Sequence, residues 1–348
     1  MARPTRKKPQ RIEPPAAPRG RLWILLAMLA VLGIAATVGG FLHYAAAPFG
    51  YAGGTVRVSV DPGSGLKSIS RQLVRKGVIA VPWAFTVLGR ARGVGESLQA
   101  GVYEVTPAMT PSGLLDRMVR GEALHDEIKF IEGWTVRQMR GALDAHPGLR
   151  HDTRDLSERE ILERIGAVES RAEGLFFPDT YRFSVGVSDL VVLRMAHTRM
   201  RERVRTNWEN RAPGLPLNSP YDLLTLASIV EKETGAPEDR THIAAVFMNR
   251  LRIGMRLQTD PTVIYGLGAR FDGNLRRRDL ETDSPYNTYT RGGLPPTPIA
   301  LPGEAALAAT ANPANSRALY FVARGDGSSH FSRTLKEHNR AVDRFQRR

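Results

Sequence analysis

Two carboxylates, Glu231 and Glu233, close the apolar stretch 221–234, YDLLTLASIVEKET, and a carboxyl so placed is a candidate to move protons. At about 100° per residue a helix here gathers Leu223, Leu226, Ala227, Ile229 and Val230 on one face and turns Lys232 roughly the opposite way, so the helix is expected to be buried along most of its length. Glu233 falls one turn beyond Ile229 and Val230, beside the stripe, whereas Glu231 sits farther from its centre. A carboxyl shielded by apolar neighbours keeps its proton toward neutral pH, which a general acid requires. The same spacing also fits a solvated last helical turn. The segments around it therefore have to separate the two readings.

Residues 240–253 (RTHIAAVFMNRLRI) read as a second apolar helix whose Asn249 and Arg250 could point donors toward a ligand. The run 258–265 (QTDPTVIY) supplies Gln258, Thr259, Asp260 and Tyr265, and YNTY supplies Tyr286 and Asn287, ahead of Gly293-Leu294-Pro295-Pro296. Tyrosine, Asn, Thr and Gln with few charges suit a groove for a polysaccharide, although each taken singly also fits a structured loop. These six are the expected substrate contacts, with Glu233 as the catalytic group. Glu231 is expected to orient a neighbour or pair with Arg250. The segment 173–183 (EGLFFPDTYRF) crowds aromatics around a Pro-Asp turn and reads first as a loop folded onto the core.

The elements that must carry these residues follow from periodicity. Thr55 to Val60 alternates as a strand, and Leu66, Ile69, Leu73 and Val74 keep helical spacing until Gly77. A second helix starts near Pro82, and GVYEV at 101–105 returns as a strand, so a β-α-α-β unit is expected. Further on, helices are expected around Leu114 to Val119, after Trp134, within 152–170 and from Leu190 to Trp208. Strands are expected at 128–131, 319–322 and near 330–332, with a closing helix that ends in Arg347 and Arg348. The fold class is α+β. The expected division is a basic Pro-rich tail at 1–21, a membrane span at 22–42, a linker at 43–54, a small subdomain at 55–125 and a mixed α/β catalytic domain at 126–348.

Residues 22–42 carry no charge over 21 positions, enough at 1.5 Å per residue to cross a hydrocarbon core of roughly 30 Å. Seven Lys/Arg before them against Glu13 contribute about +6 of the chain's +14 and predict a cytoplasmic N-terminus. Ala45, Ala46 and Ala47 offer the alternative of a cleaved signal peptide, but an apolar stretch this long exceeds the usual 7 to 15 residues of one. The 348 residues include no cysteine, which excludes a disulfide scaffold, a thiol nucleophile and thiolate-held metal. None of the eight histidines falls in an HExxH arrangement, and no Gly-rich loop ends in Gly-Lys-Ser/Thr, so neither a metal nor a nucleotide cofactor is expected. Charge alone does not make a nucleic-acid partner, since no binding module accompanies it.

ASIVEKET, VFMNRLRIGMRLQTDPTVIYG, YNTY and GLPPTPIA, with EGWT at 132–135 and FFPDTY at 176–181, together resemble the YceG-like family of endolytic murein transglycosylases. The resemblance spans nearly all of 22–348. It implies a bitopic inner-membrane protein with a LysM-like subdomain ahead of a periplasmic catalytic domain. It further implies cleavage of the MurNAc–GlcNAc bond within peptidoglycan strands to leave 1,6-anhydro ends, termination of strand elongation, and peptidoglycan synthases as neighbours. The family's catalytic glutamate aligns with the second Glu of EKE, here Glu233. Two other readings stay open: a membrane-anchored peptidoglycan-binding scaffold, and a hydrolase using Asp260 or Glu173 as a second carboxylate.

Overall fold

A computed structural model of the chain describes residues 19–233 and 235–346; the tail up to residue 18, Thr234, Arg347 and Arg348 lie outside them. The chain forms two compact units that divide between Leu124 and His125.

The first unit begins with helix α1 (Arg19–Ala46), apolar and long enough over Trp23–Ala46 to cross a membrane. Strand β1 (Val56–Val60), helix α2 (Leu66–Arg75), helix α3 (Pro82–Ala91) and strand β2 (Gly101–Val105) follow, then helix α4 (Pro111–Arg120). The two strands pair antiparallel from Val56↔Val105 to Val60↔Gly101. Alternation places Val58 and Val60 on the buried face, where Ile69, Leu73, Phe85, Tyr103 and Leu114 meet them. Thr110 caps α4 by accepting the Gly113 N–H at 3.0 Å.

Residues 43–54 are not a free linker. The α1 helix runs through to Ala46, and Phe49 and Gly50 donate their N–H groups to the Met109 and Pro107 carbonyls at 2.8 and 2.9 Å. The Tyr51 hydroxyl donates to the Val105 carbonyl at 2.6 Å. Tyr44, Phe49 and Tyr51 rest on the first core, since three aromatics in twelve residues carry more apolar surface than a solvated tether would leave exposed.

In the second unit, strand β3 (His125–Lys129) pairs antiparallel with strand β4 (Thr180–Ser184), Ile128 opposite Tyr181. Between them lie α5 (Val136–Ala145) and α6 (Glu158–Ile165), both opened by capping boxes. The long α7 (Asp189–Glu209) leads to α8 (Pro220–Glu233), α9 (Arg240–Arg252), α10 (Asp260–Leu267), the short α11 (Arg277–Glu281) and α12 (Glu304–Ala311). A last antiparallel pair, β5 (Tyr320–Ala323) and β6 (Ser329–Ser332), is closed by α13 (Leu335–Phe345).

Helix α8 is the axis of this unit. Every residue from Leu223 to Val230 is buried, and α7, α9, α10 and α12 all pack on it. The expected burial along most of the helix is observed over its central turns. The alanine-rich α12 is among the helices packed on it, and Ser228 accepts the Ile299 N–H from the loop before α12 at 3.0 Å.

Candidate active site

The α8 helix delivers Glu231 and Glu233 where it leaves the core. Glu233 is half-buried, and the Thr259 hydroxyl donates to its Oε1. Burial raises its pKa above the ordinary carboxylate range; the negative Asp260 adds to the rise, while the Thr259 hydrogen bond and the positive Arg250 pull the other way without reversing it. Glu231 is also raised, chiefly by burial, but its Oε2 accepts the Gly303 N–H at 3.0 Å, which ties the helix end to the start of α12. It makes no pair with Arg250.

Asn249 and Arg250 do not face a ligand as expected. The Asn249 amide donates to the Ser316 and Ala318 carbonyls at 2.9 Å each, and Arg250 donates to the carbonyls of Leu319 at 2.7 Å and Leu257 at 2.5 Å. These bonds hold the segment before β5, and the Leu257 carbonyl after α9, against the helix. Arg250 still contributes its charge to Glu233.

Opposite Glu233, the segment 258–262 is laced to 286–289 by hydroxyls. Thr288 Oγ1 accepts the Thr259 N–H at 3.1 Å and lies 2.9 Å from Thr262 Oγ1, while the Gln258 N–H donates to the Thr288 carbonyl at 3.1 Å. Gln258 has φ +47°, the one left-handed non-glycine backbone among the described residues, and its side chain is exposed. Strain of this kind persists where surrounding bonds hold it, here on both flanks of the residue. Asp260 is exposed and accepts from the Tyr289 hydroxyl at 2.6 Å.

The six expected contacts thus fall into three groups. Gln258 and Asp260 are exposed beside Glu233. Thr259 is 2% and Asn287 1% exposed, and both act from behind: Thr259 on Glu233, Asn287 by donating to the Leu280 and Thr282 carbonyls and accepting the Tyr289 N–H. Tyr265 and Tyr286, edge to face with centroids 4.9 Å apart, stand in the wall of a groove of about 870 Å³. That wall also holds Glu173 and Ile299 and extends to Lys232 and Pro261, sequence neighbours of Glu233 and Asp260.

Sequence reasoning did not assign Tyr289, whose hydroxyl holds Asp260, nor the EGWT turn as part of the site. Gly133 donates to the Leu301 carbonyl at 2.9 Å, Leu301 returns a bond to Trp134 at 2.7 Å, and Lys232 donates to the Gly133 carbonyl at 3.3 Å. Gly133 has φ +76°, so the motif's glycine is a conformational requirement. From 173–183, Phe176, Phe177 and Tyr181 are core as expected, and Glu173 is the residue that reaches the groove.

The site thus joins a carboxyl of raised proton affinity, at the end of an enclosed helix, to a tyrosine-lined groove that reaches its sequence neighbour Lys232. The sequence pattern of the YceG-like family matches residues 58–344. The chain belongs to the YceG-like family. A Bacillus subtilis (strain 168) protein named endolytic murein transglycosylase is 30% identical, over 84% of this chain and 85% of its own length. A protein of the same name from Streptococcus pneumoniae serotype 2 is 28% identical over 82% of this chain, which spans 58% of that relative. The crystal structure of a yceG-like protein from Listeria monocytogenes matches with a TM-score of 0.52 and 32% identity, covering 82% of this chain and 98% of the other.

Proposed function

We propose that this protein is an endolytic murein transglycosylase that cuts the MurNAc–GlcNAc bond within peptidoglycan strands, with Glu233 as its single catalytic carboxyl. The observation that carries the reading is Glu233 itself, shielded at the mouth of α8 and with its proton affinity raised by burial. A neutral Glu233 gives its proton to the glycosidic oxygen as the C1–O bond breaks with oxocarbenium character. The resulting carboxylate takes the proton of the muramic 6-hydroxyl, and that oxygen closes on C1. The product is a 1,6-anhydro end, and the carboxyl is neutral again. Water is not consumed, so the second carboxylate of ordinary glycosidases has no step to perform. The relatives' names support the substrate and the reaction type.

The Thr259 hydroxyl steadies the carboxylate between the two transfers, and Asp260 keeps its proton affinity high. Gln258, Asp260, Tyr265 and Tyr286 are the direct sugar contacts of this reading. Thr259 and Asn287 serve it from behind. The α1 helix is a single inner-membrane span with a cytoplasmic basic tail, the β-α-α-β unit is LysM-like, and residues 43–348 lie in the periplasm near peptidoglycan synthases, where cutting ends the growth of nascent strands.

Purified sacculi incubated with the protein, followed by mass spectrometry of released fragments, test the proposal. Wild-type protein should release anhydro-muropeptides and Glu233→Gln should not. Equal release by both would remove Glu233 from the mechanism, and reducing ends in place of anhydro ends would make the enzyme a hydrolase.

A further inference from the structure

Glu173 has no part in the proton transfers above, yet it is a 7% exposed carboxyl in the wall of the groove. Its Oε1 accepts the Val136 N–H at 3.0 Å, the first backbone donor of α5, and its Oε2 accepts from the Tyr265 hydroxyl at 3.1 Å. Tyr265 in turn touches Tyr286 edge to face, and the Tyr286 hydroxyl lies 2.9 Å from Thr297 Oγ1. The carboxyl, both tyrosines and Thr297 line one wall. With Glu173 ionised, the Tyr265 proton is committed to Oε2 and only lone pairs face a ligand.

We propose that Glu173 is a positioning residue for the glycan: in its neutral form its O–H donates to the Tyr265 phenol oxygen while its carbonyl oxygen keeps the Val136 N–H, and the Tyr265 O–H turns to donate to a sugar hydroxyl or N-acetyl oxygen in the groove. This deepens the transglycosylase reading and rests on it. The exchange moves one proton onto Oε2 and reverses one hydrogen bond, with every donor still partnered.

Burial lifts the Glu173 pKa to about 7; the bonds from Val136 and Tyr265 oppose the rise and the nearby Glu158 adds to it. The charges that face this wall are Arg137 and Arg140 from α5, Arg171 from the preceding loop, Lys232 from α8, and Glu158 and Asp144. Tyr221 at the start of α8 joins Tyr265 and Tyr286 as the phenols within reach, and the Tyr221 and Tyr265 pKa values are pushed up by burial. A glycan covering the groove removes more water from Glu173, which favours the neutral form further, so binding and proton uptake are linked. Affinity should be steady where Glu173 is already neutral and fall as pH rises through neutrality.

The test uses the full chain in detergent micelles carrying Glu233→Gln, so that substrate persists and the catalytic carboxyl does not titrate. The probe is a peptide-free GlcNAc–MurNAc oligosaccharide, with Kd measured by calorimetry from pH 5.5 to 9. Affinity should fall about tenfold on the alkaline side for each unit by which binding raises the carboxyl's pKa. Adding Glu173→Gln, whose amide donates to Tyr265 permanently, should hold the acid-side affinity at every pH. Adding Tyr265→Phe should weaken binding and flatten the profile. An unchanged pH dependence in either double variant overturns the inference, while the anhydro-muropeptide assay still stands for the enzyme. No cleavage of sacculi by the wild-type chain sinks the enzymatic reading and this one with it.

Discussion

A carboxyl that gives up a proton and then recovers one, as proposed for Glu233, works best when neither state is strongly preferred; burial raises its pKa most, and three neighbours adjust it. Asp260 raises its pKa; Thr259 and Arg250 lower it. Glu233→Gln should reduce the rate by on the order of 100- to 10,000-fold while leaving the melting temperature nearly unchanged. Because the proposed mechanism starts from the neutral acid, activity should fall as pH rises through the raised pKa of Glu233. Asp260→Asn removes a negative neighbour, lowers that pKa and should shift the alkaline limb toward lower pH. A limb that stays put in initial rates on sacculi would disconnect Asp260 from the acid. Glu173 makes a stability prediction of its own. Its folded pKa of about 7 exceeds its ordinary value, so the folded state binds the extra proton. Stability is full below the unfolded value and is lost as pH rises through about 7, a loss on the order of 3 kcal/mol. Urea unfolding at pH 5 and pH 8 should show that difference in the wild type and much less of it in Glu173→Gln.

Helix α8 shows what could and could not be read from residues alone. Its position and end were legible, because Ile229, Val230 and Glu233 obey a simple helical spacing. Its burial along most of its length was legible too, but which helices cover it was not, because its own residues do not name the partners that α7, α9, α10 and α12 turn out to be. The α12 helix itself, EAALAATA, has too uniform a composition to show a period. The α10 helix was read as a polar loop, since Thr259, Asp260 and Pro261 look like turn chemistry until Asp260 and Pro261 are seen as a helix start. Strand β4 was hidden inside an aromatic cluster, although Tyr181 and Phe183 do alternate inward. The donors of Asn249 and Arg250 were legible as donors, but their acceptors, apart from the nearby Leu257, lie some 70 residues away at Ser316 to Leu319. Ile229 is fully buried, so Ile229→Ala should cost about 2–5 kcal/mol in chemical unfolding of the second unit. Its loss should also loosen Glu233 one turn on, lowering activity at temperatures where the variant is still folded.

At the scale of the molecule, the basic tail and the apolar helix were plain in composition, and the β-α-α-β order of the first unit followed from turn residues and periodicity. The junction was misread because Ala45 to Ala47 and the glycines after them resemble a tether, whereas Tyr44, Phe49 and Tyr51 decide the outcome. The Phe49 and Gly50 amides, bonded to Met109 and Pro107, should exchange slowly with deuterium, at rates comparable to those of β1. Fast exchange there would restore the tether. Tyr51→Phe should cost about 1 kcal/mol by removing the hydroxyl's bonds to the Val105 and Gly54 carbonyls. With α1 read as the anchor, this stitching makes the junction stiff in torsion as well as in bending. Whatever fixes the azimuth of that helix among its neighbours in the bilayer then also aims the face of the first unit, so a contact made inside the membrane can orient a surface outside it.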